Sequence, residues 1–239
     1  MKPVESFDLA PGRILAGKYE ILSQLGAGWE GEVYKIQEKS TGIERAAKLF
    51  FPHRNVRNRA SRSYARKLHN LRDCPIVIHY HTEETVVIRR LPITVLVSEY
   101  VEGELLTGFL ARQPGGRLQP FPALHLLYAM VSGLEQIHRL REFHGDLHSD
   151  NVIVERHGLS FALKVLDFFQ WPSPKREGYQ DDLCDVIRIF YDALGGARFY
   201  GRQPRPVKEI VCGLKRTLIL SRYPSATHLR QHLETLRWD

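Results

Sequence analysis

Polar and apolar positions alternate along the first hundred residues and recur at helical spacing along the rest. Residues 19–25 form an apolar-rich run that ends in a glycine cluster. Residues 32–37 alternate, with Val33 and Tyr34 beside Lys35 and Ile36. Ser40, Thr41 and Gly42 make a turn before a third run at 43–51. Further β-branched runs at 76–80, 85–88 and 95–100 are separated by turns or Pro92. Between them, Ala60, Tyr64, Leu68 and Leu71 share one helical face, so a single amphipathic helix is predicted that stops before Pro75.

Beyond Val101, Glu102 and Gly103 the period changes. Leu126, Met130, Leu134, Ile137 and Leu140 line one side of a long helix over 121–140. Residues 183–194, 207–220 and 225–236 read as further helices. The pattern predicts one α+β domain over 1–239: a small, mainly antiparallel sheet with one helix over about 11–101, a hinge near 99–104, and a mainly helical part over 105–239.

Composition narrows this picture. The 239 residues, 43% hydrophobic, suffice for one two-lobed core, and no apolar run approaches the length of a membrane span. Residues 1–13 carry no apolar segment after Lys2, which argues against a secretory signal and for a cytoplasmic protein. Cys74, Cys184 and Cys212 are too few and too scattered for a disulfide framework or a zinc site. The net charge of +7 is local: Arg54, Arg57, Arg59, Arg62, Arg66, Lys67 and Arg72 occur without an intervening acid. That stretch, 54–72, is either a solvated helix face or a patch for an acidic partner, with nucleic acid a secondary role.

Two segments carry chemistry. Gly26, Gly28, Gly31 and Val33 fit G-x-G-x-x-G-x-V, and the third glycine opens an alternating strand rather than a helix. That context excludes a dinucleotide-binding turn and fits a hairpin whose backbone N–H groups approach phosphates. Seventeen residues on, Lys48 sits inside the apolar run Ala46-Ala47-Lys48-Leu49-Phe50, either as an edge-strand lysine with its head in solvent or, beside the glycine hairpin, with a triphosphate meeting its desolvation cost. Farther along, His144-Gly145-Asp146-Leu147-His148-Ser149-Asp150-Asn151 is followed at 165–167 by Val-Leu-Asp. Asp146 is suited to accept the proton of an attacking hydroxyl. Asn151 and Asp167 offer the hard oxygen ligands that Mg²⁺ takes beside phosphates.

With these motifs in order, the chain resembles the protein-kinase superfamily from about Pro11 to Leu236. The stretch from Lys18 to Ile36 is similar to the first two strands of a serine/threonine kinase, and 95–106 to the fifth strand and hinge. The resemblance implies ATP and Mg²⁺ as cofactors. Gly26, Ala27, Gly28, Gly31, Val33, Ala46, Lys48, Glu99, Val101, Asn151 and Asp167 are its implied nucleotide contacts, with Asn151 and Asp167 on the metal. Asp146 and Lys48 are the implied catalytic residues, Asp182 a brace of the catalytic-loop backbone, and Arg222 a structural residue.

Departures from the pattern shape the functional expectation. The helix glutamate that pairs with the strand lysine is missing, its place near Tyr64 or Ala65, so Lys48 needs another anion, Asp167 being one candidate. Phe169 replaces a glycine and should stiffen its turn. Gly145 replaces the arginine that receives a phosphorylated loop, which argues against that form of activation. The segment 170–180 is short for a peptide platform. H-G-D-L-H is similar to aminoglycoside and choline kinases, with His148 either a surface residue or part of the loop chemistry. The leading reading is an ATP-dependent serine/threonine protein kinase with a hydroxyl-bearing acceptor. The alternatives are a small-molecule kinase and a nucleotide-binding pseudokinase scaffold.

Overall fold

In the computed structural model, which describes residues 3–168 and 174–237, the alternating segments become a six-stranded antiparallel sheet. Its strands are β1 (Ile14–Leu15), β2 (Tyr19–Ala27), β3 (Gly31–Glu38), β4 (Glu44–Phe50), β5 (Tyr80–Ile88) and β6 (Leu91–Glu99), in the order β1-β2-β3-β4-β6-β5. Alternation places Ile21, Tyr34, Ile36, Ala47, Leu49, Val95 and Val97 on one face, where Phe7 and Leu9 cover them. Glu32 is buried on that same face. Its carboxylate accepts from the Phe7 N–H at 3.1 Å and from the Tyr34 hydroxyl, which in turn accepts from the Leu9 N–H. A buried acid is tolerated because its oxygens are satisfied. Burial, aided by the bond to Glu32, pushes the Tyr34 phenol up to about 12.

The helix of this unit, α1, spans Arg59–Asn70 and leaves the first residues of the basic run outside it, because Arg57 and Asn58 adopt left-handed backbone. Its inner face is Ser61, Tyr64, Lys67 and Leu68. Ser61, not the predicted Ala60, points inward because Asn55 holds it: Asn55 Oδ1 accepts from the Ser61 N–H at 3.1 Å. Of the seven cations between Arg54 and Arg72, Lys67 is buried and the six arginines are exposed.

The chain divides into two compact units, Met1–Arg72 with Ile78–Val101, and Asp73–Val77 with Glu102–Asp239. The second contains β7 (Glu104–Leu105), α2 (Leu106–Arg112), α3 (Pro120–Arg139), β8 (Val152–His157), β9 (Ser160–Val165), α4 (Lys175–Ala193), α5 (Gly196–Tyr200), α6 (Arg205–Val211), α7 (Arg216–Arg222) and α8 (Ala226–Glu234). The strands pair antiparallel in the order β7-β8-β9. Helix α3 buries Leu126, Met130, Leu134 and Ile137 as its spacing predicts; Leu140 falls just past the last turn and is exposed.

Two predicted elements change. Residues 76–79 are not a strand, and Tyr80 already begins β5: Val77 makes one isolated bridge to Val165, and Ile76 packs against Gly133, where a β-carbon would lie 2.3 Å from the Ile76 Cδ1. The helix expected over 207–220 breaks into α6 and α7, because Cys212, Gly213 and Leu214 all take positive φ. At the chain's end α8 is tied to α3 by the buried Glu135, whose carboxylate accepts from Thr227 Oγ1 at 2.8 Å and Arg230 Nε at 2.7 Å. Among the described residues no helix is long and apolar enough to cross a membrane.

Candidate active site

In the sheet unit, the turn between β2 and β3 carries the glycine motif. The Gly28 N–H donates to the Gly31 carbonyl at 2.9 Å, and Gly26 stands opposite Val33 in the ladder. The three glycines differ in what requires them. A β-carbon on Gly31 would lie 1.9 Å from the Leu49 carbonyl oxygen, so close packing on β4 forbids any side chain there. Around Gly26 and Gly28 nothing lies within 4 Å of such an atom, which leaves the outer side of the turn open to a ligand's phosphates.

Strand register places the remaining nucleotide-side candidates. Lys48 is opposite Val33 on one side and Leu96 on the other, Ala46 is opposite Ser98, and Arg45 opposite Glu99. Ala27 pairs with Glu32 within the hairpin. The Glu99 N–H donates to the His79 carbonyl at 2.9 Å, and Val101, half-buried, is the last residue of this unit. The Lys48 ammonium meets Glu30 Oε2 at 2.9 Å, and its nitrogen lies 4.9 Å from the Tyr64 ring centroid. Glu30, a residue of the glycine motif itself, is thus an anion that meets Lys48, one the sequence reading did not name beside Asp167.

In the helical unit, a fully buried aspartate organises the loop between α3 and β8. Asp182 accepts from the His144 N–H at 2.7 Å and the Gly145 N–H at 2.8 Å, and meets His138 Nε2 at 3.0 Å. Gly145 takes φ +86°, which explains a glycine where the resemblance expects arginine. His144 is buried. Its Nε2 donates to the Leu166 carbonyl at 2.7 Å while Nδ1 accepts from the Asp146 N–H at 3.3 Å, and its ring packs on Phe168.

These bonds draw Asp146, Asn151 and Asp167 into one neighbourhood. Asn151 Nδ2 donates to the Asp146 carbonyl at 2.9 Å and contacts His148 Nε2 at 3.0 Å. Its own carbonyl accepts from the Leu166 N–H at 2.8 Å, one residue before Asp167. With Nδ2 committed, the Asn151 amide oxygen is the face left for a hard cation, and Asp167 adds a carboxylate. That donor set suits Mg²⁺ completed by phosphate oxygens. Asp167 adopts φ +52°, a left-handed conformation that aspartate tolerates. The Asp146 carboxylate is about half exposed, 3.8 Å from His148 Nε2. His148, left open between two readings, is exposed, and its ring nitrogens meet the Asp150 N–H at 3.3 Å and Asn151 Nδ2 at 3.0 Å.

Beside Gly145 opens a cavity of about 320 Å³, lined by Phe143, Gly178, Asp181, Cys184, Asp185 and Arg216. Arg216 pairs with Asp181 there. Burial, reinforced by Asp182, Asp181 and Asp146, pushes the Asp185 carboxyl up to about 7. No motif singles out this residue. Glu30 flanks Gly31 as Glu32 does, and only the pairing of β3 with β4 brings Glu30 to Lys48. Phe169 and its predicted stiffening lie outside the described residues, as does part of 170–180; from Lys175 that segment is already α4.

Residues 19–170 match the protein kinase domain family. The chain belongs to the protein kinase domain family. Among similar proteins, serine/threonine-protein kinase pkn2 of Myxococcus xanthus is 29% identical over 67% of this chain and 19% of its own length. Serine/threonine-protein kinase PrkC of Bacillus subtilis is 28% identical over 66% of this chain and 23% of its own. The kinase domain thus spans about a fifth of these curated relatives. In fold it is similar to the crystal structure of the Mycobacterium tuberculosis PknI kinase domain, with TM-score 0.68 and 21% identity over 95% of this chain and 98% of that one. The α+β fold, an antiparallel sheet followed by a helical lobe, is that of a kinase.

Proposed function

We propose that this chain is an ATP-dependent protein kinase that moves the γ-phosphate of ATP to a serine or threonine hydroxyl. One observation carries the reading: Asp182 holds the backbone of His144 and Gly145, and Asn151 is hydrogen-bonded to the Asp146 carbonyl. This fixes on one loop a solvent-accessible carboxylate and an amide whose oxygen would suit a hard cation. Asp146 accepts the proton of the attacking hydroxyl and orients it. The turn at Gly26, Ala27 and Gly28 offers backbone N–H groups to phosphates, with Val33 and Ala46 beside the Lys48 strand and Glu99 and Val101 toward the adenine. Lys48 would supply positive charge to the phosphates, and Asn151 and Asp167 would hold Mg²⁺, whose charge would offset that of the transferring group.

Asp146→Asn keeps the size of the side chain and removes the base. With ATP, Mg²⁺ and cell extract as acceptor source, wild type should label protein and the variant should lose at least ~100-fold in rate. Label confined to acid-soluble small molecules would move the acceptor to a metabolite, the reading suggested by H-G-D-L-H. Equal absence of turnover in both, with ATP still raising the melting temperature, would make the chain a nucleotide-binding scaffold. The exposed arginines between 54 and 72 favour an acidic partner, whose binding should weaken steeply with salt.

A further inference from the structure

We propose that Glu30, at the tip of the glycine turn, positions Lys48, replacing the acid that helix α1 does not carry. The inference rests on the kinase reading and deepens it. Helix α1 contains no aspartate or glutamate; the side chain it presents to the ammonium is Tyr64. With Phe50 also near, at 5.5 Å, the lysine nitrogen faces two rings, and its side chain is only 11% exposed. Rings attract a cation, but they give it neither a hydrogen-bond acceptor nor a fixed direction. Glu30 Oε2, at 2.9 Å, gives both.

Glu30 is itself held in place. Its carbonyl accepts from the Phe51 N–H at 2.9 Å, fastening the tip to the end of β4. Gly31 packs against the Leu49 carbonyl so closely that no side chain is possible. Trp29 lies under the Arg54 guanidinium, 4.0 Å from its ring centroid. Three fastenings flank the carboxylate on the same strand and its continuation. An ammonium has three N–H donors, so a bond to Glu30 does not use up its capacity to meet a phosphate. Lysine placement is thereby tied to the glycine turn rather than to an acid on α1.

The test compares wild type, Glu30→Gln, and Glu30→Gln combined with Tyr64→Glu, which restores an acid from the helix side. In the nucleotide-free protein, acylation of Lys48 by an N-hydroxysuccinimide acetate is followed by mass spectrometry. Losing the carboxylate should raise the rate about tenfold, one pKa unit's worth of free amine. The double variant should bring it back toward wild type. With MgATP, Glu30→Gln should lower kcat/KM about 10–100-fold, mostly through kcat, and the double variant should recover part of it. Unchanged acylation and unchanged kcat/KM would overturn the proposal. So would a faster Glu30→Gln enzyme, which would make Glu30 a competitor of the phosphates. If wild type neither binds MgATP by calorimetry nor turns over, the kinase reading falls, and the acylation comparison still decides the Glu30 pairing.

Discussion

Asp182 is completely buried, and its hydrogen-bond partners among the described residues belong to the loop between α3 and β8 or to α3. Replacing it by alanine leaves the N–H groups of His144 and Gly145 without their acceptor and His138 without its partner. A buried donor that loses its acceptor costs about 1–3 kcal/mol. His144 is buried and bears that cost in full; Gly145 is half-buried, so water recovers part of its bond. The sum is about 3 kcal/mol, a large fraction of a domain's stability. At roughly 2–4 °C per kcal/mol for a chain of this size, the midpoint should fall by roughly 6–12 °C. Asp182→Asn keeps one acceptor oxygen and should show about half the effect. Thermal melting by circular dichroism measures the shift, and hydrogen exchange of the 143–146 peptide tests its origin. A fall of less than about 2 °C with these amides still protected would refute the account, because it would mean that another group holds the loop.

Two further outcomes follow from the geometry. Gly31→Ala should destabilise the sheet unit by about 3 kcal/mol because its β-carbon meets backbone at 1.9 Å, whereas Gly28→Ala, with nothing within 4 Å, should change stability by less than about 1 kcal/mol; equal urea midpoints for the two would contradict the packing. Asp185→Asn should act oppositely and with pH. The folded carboxyl keeps its proton up to about 7 while the unfolded one ionises near 3.8, so wild-type stability falls as pH rises between them and stays lowered above. The asparagine variant should therefore be more stable at pH 8, by on the order of 1–2 kcal/mol, and match wild type at pH 4. Equal denaturation curves at pH 8 would mean that water reaches the carboxyl.

The period of apolar residues was enough to establish the sheet-then-helix order, the inner face of α3 and the strands around the glycine turn. Those features depend on neighbours a few residues apart. Motif spacing nominates Asp146, Asn151, Asp167 and Lys48, because phosphoryl-transfer chemistry restricts which residue types serve and in what order. Tertiary structure decided what depends on residues far apart. Asn55 turned α1 so that Ser61 rather than Ala60 faces inward. Three successive positive φ angles divided the helix expected over 207–220, although its apolar spacing was continuous. The partner of Lys48 was the plainest case. A search for an acid along α1 finds none, since helical spacing reports only one element. Strand pairing across β3 and β4 brings Glu30, eighteen residues earlier, to 2.9 Å from the ammonium.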